Sequence, residues 1–166
     1  MSIDPTAAAP ADLTDPELFL SRAFDAPRDV VFRFFSEPAL LAQWFGPHAF
    51  HVPTNSVVVE PRVGGRFELA MTDETGSFPF SGKITEYDPP ELLAMVIRAE
   101  TGMGDISDLR LRIQFHDHGE RTRVTLRQGP LEPEAKRATD AGWRESFEKI
   151  DGMLTEDTAV SGPVLP

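Results

Sequence analysis

Residues 131–154, LEPEAKRATDAGWRESFEKIDGML, form the longest stretch of this chain with a sustained helical period. Trp143, Phe147, Ile150 and Leu154 recur at helical spacing with Thr139 one turn earlier, so one face of the predicted helix is apolar. The opposite face pairs Glu132 with Lys136, Asp140 with Arg144 and Glu145 with Lys149, each four apart with the acid first. That order stabilises an exposed helix by about 0.2–0.5 kcal/mol per pair. A lone amphipathic helix is marginal in water, so its apolar stripe must be buried against another surface.

Strands supply that surface. From Asn55 onward alternation of period two dominates: Phe67, Leu69 and Met71 against Arg66, Glu68 and Ala70; Phe78, Phe80 and Ile84 against Ser81, Lys83 and Thr85; then Leu93, Met95 and Ile97. The cleanest set is Leu109, Leu111, Ile113 and Phe115 against Arg110, Arg112 and Gln114, followed by Val124 and Leu126 between arginines. Turn residues fall between the runs at Asp73–Gly76, Asp88–Glu91 and His116–Glu120, which makes the strands consecutive hairpins with one buried face.

The front of the chain adds a strand from Leu18 to Phe24 and two short helices. Pro27 and Asp29 suit the first turn of one that runs to Phe35; Ser36 reads as the N-cap of the second, ALLAQWF, which Gly46 and Pro47 close. Residues 1–16 and 155–166 have no period and read as mobile tails around a single domain, 17–154. The fold class is therefore α+β, an antiparallel sheet of six to seven strands whose apolar face is covered by the terminal helix.

Composition narrows the function. The net charge is -11; residues 1–17 hold Asp4, Asp12, Asp15 and Glu17 without a base, and Glu156 and Asp157 lie in 155–166, so -5 remains for 18–154. Neither value suits a nucleic-acid phosphate backbone. The absence of cysteine excludes thiol chemistry, disulfides and cysteine-ligated metal. No apolar run approaches the ~20 residues of a membrane helix, and no signal peptide opens the chain, so the expected compartment is the cytoplasm.

Four runs in order, RAFDAPRDVVFRFFSEPALLAQWFGP, VEPRVGGRFEL, SGKITEYDPPELLAMVI and GWRESFEKIDGML, resemble the activator of heat-shock-protein-90 ATPase homologue-like domain. That family belongs to the START and birch-pollen-allergen-like (SRPBCC) superfamily, and the resemblance spans residues 18–154. It implies a helix-grip fold, in which a curved sheet wraps the long C-terminal helix, and an internal cavity for apolar molecules. Superfamily functions run from lipid carriage and sequestration to polyketide cyclisation and co-chaperone work in the stress response. The resemblance itself does not choose among them.

On that basis the candidate ligand-binding residues are Trp44 and Phe45 from the short-helix end, Phe67, Leu69, Phe80, Met95, Ile97, Leu109 and Leu111 from the sheet, and Trp143 and Phe147 from the long helix. Apolar pockets of roughly 300–1,000 Å³ use these residue types, and so does an ordinary close-packed core. His48, in the loop GPHAFHVP, is the candidate polar handle at the cavity mouth. Neither His48 with His51 nor His116 with His118 has the spacing of a zinc helix, so no metal is expected. Gly64-Gly65 precedes a strand and lacks GxxxxGK, which points to a turn rather than a phosphate loop. Gly142 beside Trp143 costs about 1 kcal/mol of helix propensity, which reads either as close approach of another backbone or a ligand or as a tolerated blemish.

No catalytic residue is assigned. Ser81, Ser107 and Ser146 lack a nucleophile elbow, Glu68, Asp73 and Glu74 fall on a wet face or in a turn, and alternation sends Arg66 and Arg98 outward, leaving Tyr87 as the remaining conceivable acid. The expected partner is a small, largely apolar, aromatic or lipid-like ligand, with no cofactor, no nucleic acid and no membrane insertion. The alternatives are a cyclase- or hydrolase-type enzyme working in the same cavity, and a co-chaperone-like interaction protein. The latter is disfavoured because the eukaryotic activator carries a further domain before this one, whereas only some 17 residues precede the run that carries the resemblance here. Monomer and homodimer remain equally open.

Overall fold

The computed structural model describes the backbone of residues 16–101 and 104–164, with side chains over 16–98 and 108–155. The expected N-terminal tail lies outside this range except for Pro16, as does the side chain of Ser107. Strand β1 (Leu18–Phe24) is followed by helices α1 (Arg28–Ser36) and α2 (Pro38–Trp44), then β2 (Val58–Val59), β3 (Arg66–Asp73), β4 (Gly76–Asp88), β5 (Leu92–Thr101), β6 (Gly104–His118), β7 (Arg121–Gly129) and α3 (Pro133–Val164). The seven strands form one antiparallel sheet in the order β1-β7-β6-β5-β4-β3-β2, so β1 closes the meander beside the last strand. No helix of the described residues is long and apolar enough to cross a membrane.

The sheet curves around α3, and register shifts at Ile84/Glu86 and Ile97/Ala99 mark two bulges of the kind that bend strands. Successive rows of side chains cross its inner face, three of them at the candidate site. Leu69 lies opposite Phe80; Phe67, Gly82, Ile97 and Leu109 form the next row; Ile84, Met95, Leu111, Gln128 and Leu18 form the third. Helix α1 closes one end, its Phe32 and Phe35 rings 5.0 and 5.1 Å from Phe115. Above the rows, Phe147 of α3 meets Phe24 edge-on at 5.5 Å. This is the helix-grip architecture.

Several local expectations change. Ser36 ends α1, its hydroxyl donating to the Phe32 carbonyl, and Glu37 rather than Ser36 stands at the start of α2 with no side-chain cap. A hydroxyl bonded back within its own helix is spent and cannot cap the next one. Helix α2 stops at Trp44; Phe45 is extended, and Gly46 at φ +98° turns the chain away. Asn55 belongs to a short 3-10 turn, not to the first strand of the meander. The backbone of α3 stays helical to Val164, beyond Leu154 where the apolar period stops. Of the three expected pairs on α3, Asp140 and Arg144 meet at 3.1 Å, but Glu145 and Lys149 turn to the loop before β2 instead.

The Gly64-Gly65 turn is sterically obligatory. Gly64 sits at φ +86°, and a Cβ on Gly65 would lie 2.2 Å from the Glu60 carbonyl oxygen.

Candidate functional site

All eleven candidate residues point into the space between sheet and α3 and are buried. They pack as a connected aromatic panel: Phe45 lies 5.1 Å from Phe80, 5.6 Å from Trp143 and 6.5 Å from Phe67, while Trp143 and Phe147 are 5.7 Å apart and Trp44 is 6.5 Å from Phe147. Tilted and edge-on rings at these separations are attractive. Beneath them Gly82 contributes no side chain, and its place is taken by the Met95 sulfur, 2.9 Å from where a Cβ would stand.

Polar atoms in this interior are few and paired. The Trp44 indole N–H donates to the Phe34 carbonyl at 2.7 Å, and the Trp143 indole N–H donates to Gln128 Oε1, also at 2.7 Å. Gln128 is the single polar side chain in the third inner row, a position that sequence reasoning passed over although it continues the Val124, Leu126 alternation by one step. Thr122 donates to the Ala26 carbonyl and Ser146 to the Gly142 carbonyl. Among the described buried residues Lys136 is the one ionisable group. Tyr87 is half-buried against Phe32, 5.8 Å away, and burial pushes its phenol pKa up. Arg22, also on the inner face, forms an ion pair with Asp151 of α3.

His48 is not at the interior. Its Nε2 lies 2.9 Å from Glu148 Oε1, both side chains are more than half exposed, and its backbone N–H donates to Glu145 Oε1 at 2.9 Å. Lys149 donates to the carbonyls of Pro47 and Phe50, and burial lowers its ammonium pKa while Glu145 acts in the opposite direction. These contacts strap residues 47–50 across α3. The Pro47 ring would lie 3.4 Å from a Cβ built on Gly142, an ordinary contact that does not by itself require a glycine there. Loop carbonyls and carboxylates on a neighbouring helix leave no period in the sequence, so the strap had no signal there.

Arg66 and Arg98 are exposed. Arg66 pairs with Glu60 and Glu68. His116 bonds to Thr125 on the outer face, and no group of three or more His, Asp or Glu among the described residues is placed to hold a metal. The interior between sheet and α3 is apolar and closely packed, and among the described residues it holds no buried carboxylate or imidazole.

Solved structures share this architecture. Protein Ms6760 of Mycobacterium smegmatis is 22% identical with a TM-score of 0.73, covering 87% of this chain and 94% of its own. The AHSA1 protein of Silicibacter pomeroyi is 23% identical at 0.74, covering 85% and 99%, and a protein from Arthrobacter aurescens is 23% identical at 0.74, covering 87% and 89%. At such identities the likeness is one of fold. No curated protein matches the sequence. The family model described as Activator of Hsp90 ATPase homolog 1-like protein matches residues 25–155, most of the chain including both short helices, the whole meander and the gripped part of α3, and the chain therefore belongs to that family.

Proposed function

We propose that the protein binds a small, largely apolar molecule, aromatic or lipid-like, between the sheet and α3, and holds it without turnover. One observation carries this reading. Phe45, Phe80 and Trp143 retain 5–7% of their surface, with Phe45 packed on both of the other rings, whereas Trp44, Phe147, Met95 and Leu111 are sealed at 0–2%. An apolar guest would enter at this less tightly sealed part of the panel. The floor there is adjustable: the Met95 thioether covering Gly82 is unbranched and flexible, the type of side chain that repacks around a ligand.

Binding is favoured over the cyclase or hydrolase alternative by the polar inventory. The buried Thr122, Gln128 and Ser146 are each committed to a partner, and no buried carboxylate or imidazole occurs among the described residues. Acid–base catalysis needs such a group within hydrogen-bond reach of the substrate.

Both tryptophans lie in the panel, so ligand entry is readable as quenching or shift of intrinsic fluorescence, with native mass spectrometry giving stoichiometry. Against a panel of aromatic and lipid-like compounds, at least one 1:1 complex is expected, weakened tenfold or more in Phe80→Ala. Binding that is undiminished in that variant, or no binding across the panel, refutes the proposal.

A further inference from the structure

The opposite face of the sheet carries a concavity, about 910 Å³, open to solvent across β1, β7 and β6. Thr125, Gln114 and Leu92 form its floor, in a row that Ser21 continues onto β1, so that the row crosses four strands. Arginines flank this row. On one side Arg127 stands over the Phe19 ring at 4.6 Å, directly opposite Arg112; on the other Arg123 stands opposite His116, whose ring bonds to Thr125 at 3.0 Å.

Arg123 and Arg127 are four residues apart on one strand, so their Cα atoms lie about 13 Å apart on either side of the floor. Such opposition is unfavourable in itself, since like charges directly across a sheet repel. The chain nevertheless assembles this face while its net charge is -11. Arg123 has no ion-pair partner among the described residues, and the partner of Arg127, Glu17, is an exposed carboxylate at 3.2 Å that a ligand can displace at little cost. Phe19 is 49% exposed, one of the two large hydrophobic side chains left open to solvent among the described residues.

We propose that this groove docks a short acidic segment of a partner polypeptide, lying across the strands with carboxylates on Arg123 and Arg127 and an apolar side chain on Phe19. The four-strand row spans about 14 Å, the length of four to five extended residues. Guanidinium groups receive carboxylates in paired hydrogen bonds, which suits the two flanks. Charge at the groove's ends selects the class of partner. Asp88, Glu91 and Asp117 line the groove past Leu92 and His116, with Arg28 held between Glu91 and Asp117, and Glu86 holds Arg112 at 3.1 Å. A long polyanion such as nucleic acid, or an anionic membrane, would run onto these carboxylates; a short segment stops before them.

The test is anisotropy titration of the full chain with fluorescein-labelled hexaglutamate at low salt, beside hexalysine, a single-stranded DNA 12-mer and phosphatidylserine vesicles. Hexaglutamate is expected to bind tightest, with affinity falling at least fivefold in Arg123→Gln and in Arg127→Gln. Arg137→Gln, an exposed α3 site of equal charge change, is expected to stay within twofold, and circular dichroism checks that each variant is folded. Equal losses in all three variants, or tighter binding of DNA or vesicles than of hexaglutamate, overturns the proposal.

Discussion

The hydrogen bond from Trp143 to Gln128 links the gripped helix to the sheet, and a double-mutant cycle measures how firmly. The 2.7 Å contact is buried on both sides, with Phe45 and Phe147 flanking the indole at 5.6 and 5.7 Å. Gln128→Met keeps the volume but leaves the indole N–H without an acceptor, a cost of about 1–3 kcal/mol. Trp143→Phe strands the Gln128 amide at a similar cost and adds the loss of one ring's packing. The double variant removes donor and acceptor together and forfeits only the net value of the hydrogen bond, about 0.5–1.5 kcal/mol, beside the same packing loss. The two single changes should therefore sum to more than the double, with a coupling of about 1.5–4.5 kcal/mol. Urea unfolding followed by far-UV circular dichroism reads this directly; with a slope of about 1–3 kcal/mol per molar, Gln128→Met moves the midpoint by roughly 1 M. Additivity within about 0.5 kcal/mol would show that the bond is replaceable by water and that packing alone seats the helix.

Other outcomes follow from single positions. Gly152 is exposed in the interior of α3 with nothing within 4 Å of a new Cβ, so Gly152→Ala is expected to raise stability by about 0.5–1 kcal/mol in the same urea assay. Gly65→Ala drives a methyl into the Glu60 carbonyl and should cost about 3 kcal/mol, or prevent soluble expression, while Gly64→Ala costs less because its strain is torsional with open space around it. Asp73 accepts hydrogen bonds from the Thr75 hydroxyl and, second, from the Thr75 amide, which hold its carboxyl below the ordinary 3.8. Its folded pKa is depressed, so its stabilisation of the β3–β4 turn is complete above 3.8 and is lost as pH falls through the lower folded value. An NMR titration of the Thr75 amide should follow that midpoint, and the response should vanish in Asp73→Asn.

The elements of the fold were legible because burial on one face imposes a period on the residues that line it. Leu109, Leu111, Ile113 and Phe115 show period two, and Trp143, Phe147, Ile150 and Leu154 show the helical period; both sets face inward in the structure. Helix ends were less legible, since capping at Ser36 depends on whether a hydroxyl bonds forward or backward, and both use the same residue. The candidate panel was named from strand and helix facing together with the family resemblance, and its eleven side chains share one interior. The direction of His48 had no signal, because a loop has no period from which it can be read; Glu145 and Glu148 of α3 decide its position.

By itself, then, the sequence determined the class of the major elements, the buried side of the meander strands and the helix that covers their apolar face, because these are consequences of local alternation and side-chain polarity; the grip came from the family resemblance. The tertiary structure alone decided which rows meet across the sheet. It put Gln128 beneath Trp143, seated Met95 over Gly82, tied Lys149 to the carbonyls of Pro47 and Phe50, and raised Arg123 and Arg127 on either side of Thr125. Register, bulges and loop paths arise from contacts between residues far apart in the chain, and no short-range pattern records them.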